Sequence, residues 1–245
     1  MIGDIFTVLW KEFKEILLQR GGWRSGWLNV LVSIGVFGVF LPLQAGREWV
    51  ENPLLMVIWM WVPLFLVTSV IADSFAGERE RHTLETLLAS RLSDRAILLG
   101  KVLTSVLYGW GITMAMLLVG LVTVNVAHWG GGLLLYPPLV LAGTVVMMLL
   151  VSALIACLGV IVSLQAATVR QAVQVMGLAT MALVLVPTVG LKALPSPAQL
   201  AIVNFARGLD MQAAFVLVGA AILALDALLL AWALGRFRRA RLILD

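Results

Sequence analysis

Charge is scarce in this chain. Only 12% of its 245 residues are Asp, Glu, Lys or Arg, while 62% are apolar. A soluble globular domain carries about 25% charge and roughly 45–50% apolar residues, so this balance argues against a soluble enzyme. Cysteine is nearly absent: Cys157 stands alone in an apolar run, which excludes an intramolecular disulfide or a cysteine metal cluster. Histidine is almost as rare, and His128 has no second His, Cys or acid at ligand spacing; it reads as a loop histidine rather than a metal or head-group ligand. No G-x-x-x-x-G-K-[ST] stretch exists to cradle phosphates, and Gly100-Lys101 lacks the preceding glycine loop. The chain therefore cannot hydrolyse ATP by that route. A secretory leader is not expected either, because Asp4, Glu12 and Glu15 interrupt the N-terminal apolar pattern.

What is present is long apolar sequence. Between Lys101 and Arg170 lie 68 consecutive residues without Asp, Glu, Lys or Arg, and about 20 residues suffice to cross the hydrocarbon core. The pattern predicts an all-α polytopic membrane protein forming one transmembrane domain over 1–245, with six spans near 25–43, 53–72, 102–124, 138–163, 172–190 and 211–235. Residues 2–20 predict an amphipathic helix lying in the interface, with Ile2, Phe6, Leu9, Phe13 and Ile16/Leu17 on one side and Thr7, Lys11, Lys14 and Glu15 on the other. Gly21-Gly22 ends it, and Trp23 and Trp27 sit where interfacial aromatics belong. The nine tryptophans mostly fall near span boundaries and read as anchors. Residues 42–52 read as a short polar loop, and 191–210, which carry Pro195 and Pro197, as an external segment that is interfacial or re-entrant.

The net charge of +4 could suggest nucleic acid, but the basic residues sit beside apolar spans and act as an orientation signal. Fourteen of the 17 lysines and arginines fall in the N-terminal segment, 73–101, the 163–171 loop and the tail; Arg47, Lys192 and Arg207 fall on the other side. The positive-inside rule places both termini and 73–101 in the cytoplasm of a cell whose inner membrane holds the chain. No internal repeat is evident, which weighs against a duplicated secondary transporter.

One cytoplasmic stretch is rich in charge, Asp73 to Lys101. Within it Leu84, Leu87, Leu88 and Leu92 form an apolar stripe, as on a short helix over about 76–92. Two readings fit the stripe: a helix resting on its own bundle, or one docking a cytosolic partner.

The run Glu80-Arg81-His82-Thr83-Leu84-Glu85-Thr86-Leu87-Leu88, followed by Lys101 at the start of the next span, resembles the first cytoplasmic loop of ABC-2 type transporter permeases. These are the membrane subunits of type V, ABCG-like exporters. The interfacial helix, six spans and interrupted segment before the last span are similar too, as is the loop with Arg170-Gln171-Ala172-Val173-Gln174. The resemblance implies that this loop holds a coupling helix docking on an ATPase subunit, with Glu80, Thr83, Leu84, Glu85, Leu87 and Leu88 at the matching positions. His82 stands where a glycine is common, and Arg91-Leu92 where a proline is common. It further implies that ATP and Mg are bound by a separate subunit, that this chain has no cofactor, and that two permeases, identical or close paralogues, join two ATPases. Spans this apolar suit an amphiphilic cargo such as a lipid, a lipid-linked glycan or a hydrophobic drug.

Asp226 is the one acid well inside a predicted span, about nine positions or roughly 14 Å from its cytoplasmic end. It marks either a transport path or mobile interface, or a structural hydrogen bond. Gly111 with Ala115 and Ser152 with Ala156 are small pairs at i,i+4 that permit close helix contact. Two other functions stay open on the residues alone: a membrane-embedded lipid-modifying enzyme, for which no polar catalytic cluster is visible, and a stand-alone channel or secondary transporter.

Overall fold

In the computed structural model, residues 1–18, 28, 30–52, 55, 59, 62–208 and 211–237 are described, and every regular element among them is a helix. α1 is Ile2–Leu18, α2 runs over Val30–Ala45 with a π-helical stretch at Ile34–Phe40, and α3 is Glu48–Glu51. α4 is Val62–Glu80, α5 Leu84–Leu88 and α6 Asp94–Ala127. α7 is Pro138–Gln165, α8 Val169–Ala193, α9 Ser196–Gly208 and α10 Met211–Arg236. Three of them, α6, α7 and α10, are long and apolar enough to cross a membrane. At 34 residues α6 is about 51 Å long, well beyond the roughly 30 Å of a hydrocarbon core.

α4 is the centre of the packing and touches α6, α7 and α8. It approaches its neighbours through their glycines. A Cβ at Gly159 on α7 would lie 2.2 Å from Ile71 Cγ2, and one at Gly109 on α6 would lie 2.3 Å from Val67 Cγ2. Ile71, Val67, Phe75, Ile97, Ile155 and Val160 form the larger core there. Of the two small pairs seen in sequence, Ser152 and Ala156 are buried, whereas Gly111 has open space around it. α10 packs on α7, with Phe215 over Gly143.

Two expectations need correction. Trp49 and Trp59 are not interfacial anchors: both are fully buried, edge to face at 5.5 Å, in a second core with Met116, Tyr136 and Met148. Each ring buries a large apolar area there, and the edge-to-face pairing adds to it. The polar loop at 42–52 is mostly helical, since α2 continues to Ala45 and α3 buries Trp49 and Val50. Helix ends also differ from span ends. α4 continues to Glu80 and α6 begins at Asp94, which leaves only 81–93 between them and restricts the helix expected near 76–92 to Leu84–Leu88. The breaker Gly21-Gly22, Trp23, Trp27, the start of the span near 53–72 and the basic tail beyond Phe237 lie outside the described residues.

α1 has two working faces. Val8 is buried against Gly100 of α6, where a Cβ would come within 2.6 Å of it. On the other side Ile2, Phe6 and Trp10 are exposed, Phe6 by 64%, while Leu9 and Phe13 are half-buried.

Candidate functional site

The last turn of α4 is where separate parts of the chain meet. Three consecutive residues there point to two separate groups of neighbours.

Glu78 points to α1 and α6. Lys101, 1% exposed, donates from Nζ to Glu12 Oε1 at 2.7 Å, to Glu78 Oε1 at 3.0 Å and to the Ser74 carbonyl at 2.8 Å. Its ammonium also lies 5.2 Å from the centre of the Phe75 ring. Lys11 donates to the same Glu78 oxygen at 2.9 Å and lies 3.3 Å from Glu12 and 3.2 Å from Glu15. Burial opposes ionisation of Glu12, but the Lys101 and Lys11 ammonium groups outweigh it and hold the carboxyl below the usual glutamate range. Burial likewise opposes the charge on Lys11, and Glu12 and Glu78 outweigh it, pushing its pKa up. Glu12, Glu15 and Glu78 are close enough together to hold a metal ion. The two lysines already occupy the space between them.

Arg79 and Glu80 reach the turn between α7 and α8. Arg79 donates to the carbonyls of Ala166 and Leu164, the latter at 2.9 Å, and so satisfies acceptors that a helix C-terminus leaves without partners. Glu80 accepts the Val169 backbone N–H at 3.1 Å, which places a carboxylate at the positive end of α8. Ser163 strengthens the joint, donating to the Ala72 carbonyl and accepting the N–H groups of Phe75 and Ala76.

α4 then stops in a defined way. Thr83 N donates to the Glu78 carbonyl at 2.9 Å and His82 N to Arg79 at 3.1 Å, with His82 at φ +55°. This pair of bonds closes a helix around a left-handed residue, a position that favours glycine. His82→Gly should remove about 1 kcal/mol of backbone strain, raising the thermal midpoint by roughly 2–4 °C. His82→Val should lower it. A thermal melt of the purified chain checks both.

The structure divides the six sequence-predicted coupling residues by role. Leu84 is buried in the core with Ile97 and Leu98, and Leu87 packs partly against it. Thr83, Glu85 and Thr86 are exposed, with Arg81, Arg91, Arg95 and Arg170 exposed around them. Glu80 is engaged with α8. The Leu88 side chain lies outside the described residues. Leu84 is thus the anchor of α5 to its own bundle, and the outward edge is polar. Asp226 is far from this group in sequence, on α10, buried and with no hydrogen-bond partner for either oxygen among the described residues. Sequence reading missed Glu78 and Glu12, and saw Lys101 only as the start of a span.

No curated protein and no solved structure matches the chain. Residues 38–231, which exclude α1, match the family described as ABC-2 family transporter protein. That match covers most of the chain, and with helices able to cross a bilayer it establishes a multi-pass membrane protein belonging to the ABC-2 transporter family.

Proposed function

We propose that the chain is the permease subunit of an ATP-driven exporter and is moved by a separate ATPase that docks on the outer edge of α5. The observation that carries this is α5 itself. It is fixed to the bundle by Leu84, while Thr83, Glu85 and Thr86 face away and are exposed among the described residues. Family membership and the missing phosphate-binding loop support a partner that supplies the hydrolysis. In this reading both termini and α5 are cytoplasmic, six helices cross the membrane, and two copies of the chain combine with two ATPases. α1 lies along the interface with Phe6 and its apolar neighbours toward lipid. Asp226 faces the transport path or the second copy, and the cargo is an amphiphile entering from the membrane.

The test uses the two edges of α5. Glu85→Lys combined with Thr86→Trp should reduce co-purification with the ATPase about tenfold, as loss of an interface anchor does, without changing thermal stability. Leu84→Ala should instead cost about 2–5 kcal/mol of stability by opening a core cavity. Undiminished co-purification of the outer-edge variant would refute docking at α5.

A further inference from the structure

We infer that Glu78, Arg79 and Glu80 are positioning residues that divide a displacement of α5 into two separate branches, one to α1 and α6 and one to the α7–α8 turn. The inference rests on the docking reading above and adds how the push leaves α5. Only three residues separate Glu80 from the start of α5 at Leu84, and they are held by the bonds from His82 and Thr83 back to Arg79 and Glu78. A displaced α5 therefore pulls directly on the last turn of α4, beside its own packing of Leu84 against Ile97 and Leu98. From that turn Glu78 holds Lys11 at 2.9 Å and Lys101 at 3.0 Å. Arg79 holds the end of α7, and Glu80 holds the first N–H of α8 at 3.1 Å. The contacts are directional and charge-assisted, which makes them stiff compared with apolar packing. They share no partner: the Glu78 contacts lie with α1 and α6, and the Arg79 and Glu80 contacts lie with residues 164–169. Each branch can be cut without cutting the other.

That independence sets the experiment. The full chain in complex with its ATPase, with Cys157→Ser, carries a polarity-sensitive fluorophore at either Lys14→Cys on α1 or Arg170→Cys on α8, both exposed positions. Emission is followed on adding Mg-ATP and vanadate. The parent complex should shift at both positions. Arg79→Gln should reduce the shift at 170 about fivefold, a typical size for a coupling free energy, and leave that at 14 intact. Glu78→Gln should do the reverse. Glu80→Ala, at an exposed residue whose loss does not threaten folding, should repeat the Arg79→Gln pattern. Co-purification with the ATPase should be unchanged throughout. Equal loss at both probes in each variant, or no loss in any, would overturn the two-branch assignment. A parent complex that binds the ATPase yet shifts at neither position would overturn the branches while leaving docking standing, and docking itself falls if the Glu85→Lys, Thr86→Trp variant still co-purifies with the ATPase.

Discussion

Lys101→Met is expected to cost at most about 3–5 kcal/mol, because it leaves the buried Glu78 and the largely buried Glu12 with only the partly exposed Lys11 as a shared cation. The methyl thioether fills the volume of the lysine stem, so the loss is electrostatic rather than one of packing. The Ser74 carbonyl loses its donor as well. Two measurements read the effect: the thermal midpoint, and tryptic cleavage at Lys14, which should speed up as α1 leaves its seat on α6. Adding Glu12→Gln and Glu78→Gln should recover much of the loss, since removing the buried carboxylates together with their cation is far cheaper than orphaning them, and the partly exposed Lys11 keeps Glu15. A single Lys101→Met variant as stable as the parent would show that the cluster contributes nothing to the fold. The cluster also predicts a pH dependence. The Glu12 carboxyl is held below its ordinary value of 4.5 in the folded chain. Its contribution is therefore complete above that value and is lost as pH falls through the lowered one. In Lys101→Met the largest opposing charge is gone, so the acid-induced loss should begin at higher pH.

Gly159→Val should be the most damaging small substitution in the bundle. The first added carbon would lie 2.2 Å from Ile71 Cγ2 and 3.0 Å from its Cγ1, and Ile71 is fully buried. Neither side chain can step aside, because α4 is also held by Val67 against Gly109. Overpacking of this kind costs about 1–3 kcal/mol for one methyl and more for a branched side chain. Ile71→Ala should rescue it. Gly111→Ala is the internal comparison: nothing lies within 4 Å of the added carbon, so the substitution should stabilise α6 by about 0.5–1 kcal/mol. Yield of monodisperse protein and the thermal midpoint separate the three. A well-folded Gly159→Val chain would mean that α4 and α7 are further apart than the structure has them.

Periodicity and apolar runs made the all-helical fold legible, and a helix at the start and the stripe at Leu84 were visible for the same reason. Which surface covers a stripe is a different matter. Leu84 and Leu87 at helical spacing fit a partner and a bundle equally well, and only the tertiary contacts show that Leu84 turns inward. The Trp49–Trp59 pair was misread because a tryptophan close to a span end looks the same in sequence whether it meets water or a core. The ion cluster left no local sign at all. Glu12, Glu78 and Lys101 come from three helices, and each alone resembles an ordinary solvated charge beside a span. His82 was the opposite case: its departure from glycine was visible in sequence, and the left-handed backbone supplies the reason.

Order of synthesis gives the ion cluster a second consequence. Glu12 and Lys101 are 89 residues apart, and chains grow at about 5–20 residues per second. The newborn α1 therefore waits roughly five to twenty seconds before its buried cation exists. Until then Glu12 has only Lys11 of its own helix as a cation, and the glycine that receives Val8 is made one residue before Lys101. Two adjacent residues, Gly100 and Lys101, thus seat α1 on α6 by different means, one by lacking a side chain and the other by its charge.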